Sequence, residues 1–160
     1  MAGGKTNAMR ILDAKEMDYS MLSYEVKDGK IDGISVADKI GIETKSVFKT
    51  LVTHGANVGS IYVFVIPVAA ELDLKKAAKA AGEKKVEMLP VKDLQKWTGY
   101  IRGGCSPVGM KKLYPTYVDE SASKLDTMIV SGGKVGIQVE LKPNDLIVAI
   151  GAKFAELSKV

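Results

Sequence analysis

The sequence has one cysteine, Cys105, one histidine, His54, and one tryptophan, Trp97. A single thiol cannot form an intrachain disulfide, which suits a reducing compartment. One Cys and one His leave only carboxylates to complete a metal site. Asp119 and Glu120 could supply two, but they read better as a turn after a strand, so neither a metal nor a cofactor is expected. Long apolar runs are also missing. The longest covers residues 61–70 and contains Pro67, far short of the roughly 20 residues that cross a membrane as a helix. The opening Met-Ala-Gly-Gly-Lys lacks the apolar stretch of a signal peptide. No membrane association and cytoplasmic residence follow as expectations. Charge is not extreme either: a net +4 permits contact with a polyanion without indicating one.

What is present is the composition of an ordinary folded chain, 46% hydrophobic and 26% charged over 160 residues. That length suits one domain, placed at residues 5–160, with residues 1–4 as a disordered or non-native tail. Thr6 can cap a first helix bearing Ala8, Ile11 and Leu12 on one face. Residues 20–26 alternate as a strand with Leu22, Tyr24 and Val26 on one side, and residues 27–33 form a loop. Ser35, with Asp38 three residues on, predicts a short capped helix ended by Gly41. Residues 47–53 and 61–67 are β-branched runs joined as a hairpin, with His54 in the connecting loop. Asp73 caps a helix with Leu74, Ala77, Ala78 and Ala81 inward and Gly82 closing it. A short strand over 86–89, a helix over 91–98, an irregular glycine-rich stretch over 100–114 and a strand at Tyr117 follow. Residues 127–131 and 135–141 flank Gly132-Gly133-Lys134 as a hairpin turn. A last helix covers 144–150, and a strand lies near Phe154. The pattern predicts an α/β (α+β) fold, a mixed sheet curled toward a barrel with helices outside.

Two features could carry chemistry. In Val47-Phe48-Lys49-Thr50-Leu51 the period-2 rule sets Lys49 on the apolar face of Val47 and Leu51. Such a lysine either snorkels to water along its methylenes, which strand pattern alone favours, or supplies a fixed positive charge beside an anion. Residues 99–109 hold glycines that let backbone approach a ligand, without the spacing of a P-loop. Cys105 lies in this loop; with no evident basic setting it reads as a packed thiol rather than a nucleophile paired with His54. The lysines of residues 74–85, with Lys111 and Lys112, could form a basic surface for a phosphate backbone, or a solvated helix face.

Phe48-Lys49-Thr50-Leu51, then Thr98-Gly-Tyr-Ile-Arg-Gly-Gly-Cys-Ser-Pro107, Asp119-Glu-Ser121, Val130-Ser-Gly-Gly133 and Glu140-Leu-Lys-Pro-Asn-Asp145 occur in an order and spacing that resemble the YbaK/EbsC family of aminoacyl-tRNA deacylases. That family is related to the editing domain of bacterial prolyl-tRNA synthetases. The resemblance runs from about Lys5 to the C-terminus. It implies a barrel-like mixed core and deacylation of misacylated tRNA, typically Cys-tRNA(Pro), with Ala-tRNA(Pro) or a non-catalytic tRNA- or synthetase-binding module as alternatives. It implies Lys49 as the principal functional side chain, beside Thr50. Around the aminoacyl group it places the loop Gly103, Gly104, Cys105, Ser106 and Pro107. Tyr24 and Ser131 match pocket positions, whereas Asp32 stands where some relatives carry an aromatic residue. The substrate's own thiol would attack its ester, leaving Cys105 a bystander. The implied partners are the acceptor end of misacylated tRNA and prolyl-tRNA synthetase.

Overall fold

The structure is a computed structural model that describes residues 4–57 and 59–159. Residues 1–3 of the expected tail lie outside the described residues. The Thr6 hydroxyl accepts from the Met9 N–H at 3.2 Å and starts α1 (Asn7–Ala14), which buries Ala8, Met9 and Leu12. Next come β1 (Tyr19–Ser23), α2 (Gly33–Ile40), β2 (Phe48–His54), β3 (Ile61–Pro67), α3 (Leu74–Ala81) and β4 (Glu87–Met88). The chain continues with α4 (Val91–Thr98), β5 (Thr116–Asp119), β6 (Met128–Lys134), β7 (Ile137–Leu141), α5 (Pro143–Ile150) and β8 (Lys153–Ala155). No helix among the described residues is long and apolar enough to cross a membrane.

The strands form two sheets that do not close into a barrel. One is antiparallel in the order β1-β7-β6; the other has the order β4-β2-β3-β5-β8. β3 is central in the larger sheet, antiparallel to β2 and parallel to β5. Both its faces are therefore covered, and its side chains are apolar almost without break. Ile61, Val63 and Val65 point to one face, Phe64 and Ile66 to the other. On the second face Phe64 and Ile66 pack with Ala77 and Ala78 of α3. On the first, Ile61 joins Leu94 and Trp97 of α4, while Val65 joins a core with α1, α5 and the smaller sheet.

Four local expectations are corrected. The N-cap of α2 is Asp32, not Ser35. Its carboxylate accepts from the Ser35 N–H at 3.1 Å and the Ser35 hydroxyl at 2.7 Å, so Ser35 is already the third helical residue. His54 is the last residue of β2, opposite Ile61, because the ladder runs one position further than the β-branched pattern. Leu74 is 43% exposed, since α3 turns only Ala77 and Ala78 fully inward. The β6–β7 turn falls at Val135-Gly136, with Gly136 at φ +95°, while Gly132 and Gly133 lie in a bulge between Ser131 and Lys134. Gly136 takes the positive φ that the turn requires there, a conformation open to glycine.

The C-terminal strand is pinned by one buried side chain. Asp119, 5% exposed, accepts from the N–H groups of Leu157 at 3.1 Å, Ser158 at 3.2 Å and Ser121 at 3.3 Å. Hydrogen bonds to a charged group contribute about 1.5–3 kcal/mol, and their loss strands buried donors. Asp119→Ala is expected to lower unfolding stability by about 2–3 kcal/mol, read as a lower urea midpoint; a change within about 0.5 kcal/mol would contradict this role.

Candidate active site

A parallel bridge, Val47 with Ile129, links the two sheets just before β2. On its other side β2 pairs with β3 along its whole length, but with β4 only at Thr53 and His54. The Val52 carbonyl accepts from the Leu89 N–H at 2.9 Å. Strands alternate their hydrogen-bonding direction, so the backbone N–H and C=O of Thr50 turn toward this same open edge. Between the bridge and β4 the edge borders a cleft of about 390 Å³. Its walls come from the residue after β1 (Tyr24), the start of α2 (Asp32, Gly33), β2 (Lys49, Thr50), the glycine loop (Arg102, Gly103, Cys105) and the smaller sheet (Ser131, Gln138).

Two close backbone approaches set these walls. Gly33 opens α2 against the residue that follows β3: a Cβ there would lie 2.4 Å from Cγ1 of Val68. Gly104 seats the loop on the β6–β7 turn, where a Cβ would lie 3.0 Å from the Val135 nitrogen. The Tyr100 hydroxyl adds a bond of 2.5 Å to the Val108 carbonyl, closing the loop on itself. The segment after Tyr24 is held by Lys39, whose ammonium donates to the Glu25 carbonyl, the Asp28 carboxylate and the Lys30 carbonyl at 2.7, 2.8 and 2.9 Å. The same ammonium lies 5.8 Å from the Tyr24 ring centre.

Lys49 lies on the face of Val47 and Leu51, as the alternation predicts, opposite the fully packed Phe48. It is half-buried, and burial lowers its pKa below the ordinary lysine value; the Glu71 carboxylate opposes this only in part. The hydroxyls of Tyr24 and Thr50 are buried with no hydrogen-bond partner among the described residues. An orphaned buried hydroxyl costs about 1–3 kcal/mol; of the four among the described residues, these two lie at the cleft and the other two, of Ser121 and Ser158, away from it. Asp32 stays anionic: its bonds from Ser35 hold its carboxyl below the usual carboxylate range.

Of the nine residues expected at the site, Tyr24, Lys49, Thr50, Gly103, Cys105 and Ser131 line the cleft. Gly104, Ser106 and Pro107 do not; they are buried behind the wall, and the Ser106 hydroxyl accepts from the Val108 N–H at 3.1 Å. Sequence reasoning missed Gln138 and Arg102. Gln138 is 6% exposed and sits across from Ser131. The alternation of Ile137, Val139 and Leu141 marks only the opposite, apolar face; α2 and the cleft cover the face of Gln138. No group of three or more metal-binding side chains occurs among the described residues.

Cys105 packs with Val52, Leu89, Trp97 and Tyr114, and burial pushes its thiol up to about 12. His54 instead faces Glu87, with Nε2 3.6 Å from the carboxylate. The cleft thus offers a positive charge and hydrogen-bond donors, with no protein nucleophile activated by a base. Folded protein at pH 8 is expected to react with a thiol reagent at least tenfold more slowly than urea-unfolded protein, where the thiol returns to about 8.5. Equal rates would show an activated Cys105.

Comparison with known proteins bears on the family and the fold. The aminoacyl-tRNA editing domain family matches residues 33–148. An Enterococcus faecalis protein named "Putative Cys-tRNA(Pro)/Cys-tRNA(Cys) deacylase EbsC" is 49% identical over 154 residues, covering 96% of this chain and 93% of that protein. A crystal structure titled as a "putative trans-editing enzyme for prolyl tRNA synthetase" superposes with a TM-score of 0.83 at 23% identity, covering 99% of this chain and all of that one. A hypothetical protein of known structure gives 0.87 at 23% identity, over 96% of this chain and all of that one.

Proposed function

The chain belongs to the aminoacyl-tRNA editing domain family, and on that premise we propose that its cleft removes the amino acid from misacylated tRNA, with Cys-tRNA(Pro) as substrate. The observation that carries this reading is the pairing of a desolvated, half-buried lysine with orphaned hydroxyls in a cleft whose only thiol is held protonated. An aminoacyl ester is already activated. Its cleavage needs positioning and charge compensation more than a protein nucleophile.

The charges suit such a ligand. The Asp32 carboxylate at the cleft wall is a counter-ion for the α-ammonium of an aminoacyl group. Lys49 and Arg102 suit the terminal phosphate and the charge that develops on the ester oxygen. The backbone of Thr50 on the β2 edge, the hydroxyls of Tyr24 and Thr50, and the Gln138 amide supply the remaining hydrogen bonds. With a cysteinyl ester, the substrate sulfur gives up its proton and forms a bond to the carbonyl carbon. The bond from that carbon to the ribose oxygen then breaks, and the oxygen takes up a proton. The products are a thiolactone and tRNA with a free terminal hydroxyl. For other esters water takes the place of the thiol. The same reading makes prolyl-tRNA synthetase the partner that narrows the choice of tRNA.

Lys49→Met is expected to lower kcat/KM for Cys-tRNA(Pro) by about 10²-fold or more. Because the native state disfavours the charged lysine, the ammonium weakens the fold below its lowered pKa, and the penalty is relieved as pH rises through that value. The variant should therefore keep or raise the melting temperature near neutral pH. In the wild type, activity on a cysteinyl ester should rise with ionisation of the substrate thiol near about 8.5 and fall as Lys49 loses its proton, below the ordinary lysine range. Lys49→Met with unchanged turnover, or no release of cysteine by wild type with or without the synthetase, would overturn the proposal.

A further inference from the structure

The net charge of this protein is concentrated beside the cleft. Residues 91–112 carry five cations, Lys92, Lys96, Arg102, Lys111 and Lys112, against one acid, Asp93. That segment alone accounts for the chain's +4; of the 23 basic and 19 acidic residues, 18 of each remain elsewhere. All five cations are exposed, and none forms an ion pair among the described residues.

The fold makes one surface of them. The Tyr114 hydroxyl donates to the Trp97 carbonyl at 2.6 Å, and the Lys111 ammonium donates to the Lys96 carbonyl at 3.2 Å. Lys96 in turn lies 5.3 Å from the Trp97 ring centre. These contacts lay the end of the glycine loop along α4. The same loop supplies Arg102, Gly103 and Cys105 to the cleft wall, so the basic surface begins at the cleft and runs away from it over α4.

The lysines of α3 cannot belong to it. α3 packs on the Phe64 and Ile66 face of the larger sheet, whereas α4 packs on the Ile61 face. Lys76 is moreover engaged with Glu156 at 2.7 Å and the Ser158 carbonyl at 3.0 Å. The single basic surface read from residues 74–85 together with Lys111 and Lys112 is therefore split by the sheet.

We propose that α4 and the end of the glycine loop form the docking surface for the sugar-phosphate backbone of the tRNA acceptor stem. This rests on the function proposed above. An amino acid esterified to the end of tRNA sits on a short single strand that continues into a duplex. With that end in the cleft, the duplex must leave past one of the walls. Four unpaired lysines and an arginine on one wall match its phosphates by charge and release counter-ions on contact. They read no base, so this surface contributes affinity shared among tRNAs rather than selection.

The test replaces Lys92, Lys96, Lys111 and Lys112 with Gln, leaving the cleft intact, and compares binding of uncharged tRNA across salt concentrations with that of wild type. A second variant, Lys75→Gln with Lys79→Gln on α3, is the control, and melting temperatures verify folding of both. The α4 variant should bind at least about tenfold more weakly near 0.1 M salt, and its log–log salt slope should shrink by about two or more. The α3 variant should bind as wild type does, and cysteinyl-adenosine should be cleaved equally by all three. Unchanged tRNA affinity and slope in the α4 variant, or an equal loss in the α3 variant, overturns the surface. Loss of binding to prolyl-tRNA synthetase with tRNA binding intact assigns the face to a protein and overturns it too. Absence of deacylation by wild type on any substrate defeats the proposed function instead, while the binding comparison still decides the surface.

Discussion

An interrupted β-edge underlies the cleft. β2 is held along its full length by β3, yet on its outer edge the ladder among the described residues is limited to the Val47–Ile129 bridge just before it and to β4 from Thr53 onward. A closed barrel would have satisfied the intervening backbone groups with another strand. Here the gap is kept open by elements that cannot slide into it. α2 is wedged against Val68 through Gly33, and the glycine loop is seated on the β6–β7 turn through Gly104. The bare strand edge thereby becomes the floor of a cleft about 390 Å³ in volume.

The cleft is poorly satisfied by the protein alone. A lysine is partly desolvated there, and two hydroxyls are buried without partners. Two further buried hydroxyls without partners, those of Ser121 and Ser158, lie away from the cleft, beside Asp119. The cleft differs in that its unpaired hydroxyls line an open space shared with a partly desolvated cation, as a binding site does before its ligand arrives. Burial acts on Lys49 and on Cys105 from opposite faces of β2: it lowers the cation's pKa and raises the thiol's, so the cleft keeps a positive charge without a protein nucleophile.

Much of the local structure was legible along the chain. The Thr6 and Asp73 caps, the Gly41 and Gly82 stops, the β2–β3 hairpin and the α4 boundaries all depend on hydrogen bonds and periodicity within a few residues. Lys49 was conspicuous for the same reason, as a charge on an apolar strand face. Glycine content made residues 99–109 conspicuous, and motif order then pointed to Gly103 to Pro107 within them. The mistaken details, Ser35 as a cap and the Gly132-Gly133 turn, arose where two neighbouring residues could each play the same local part.

The sequence by itself therefore determined the elements, the family and the unusual lysine, because helix caps, strand alternation and motif spacing act over short stretches of chain. Tertiary structure alone decided which edge of β2 stays open and that Gln138 faces a cleft rather than water. It also separated His54 from the cleft and parted the lysines of α3 from those of α4. Each of these depends on which distant element covers a given face. A strand's pattern specifies that its two faces differ, but only the packed neighbours determine what each face meets.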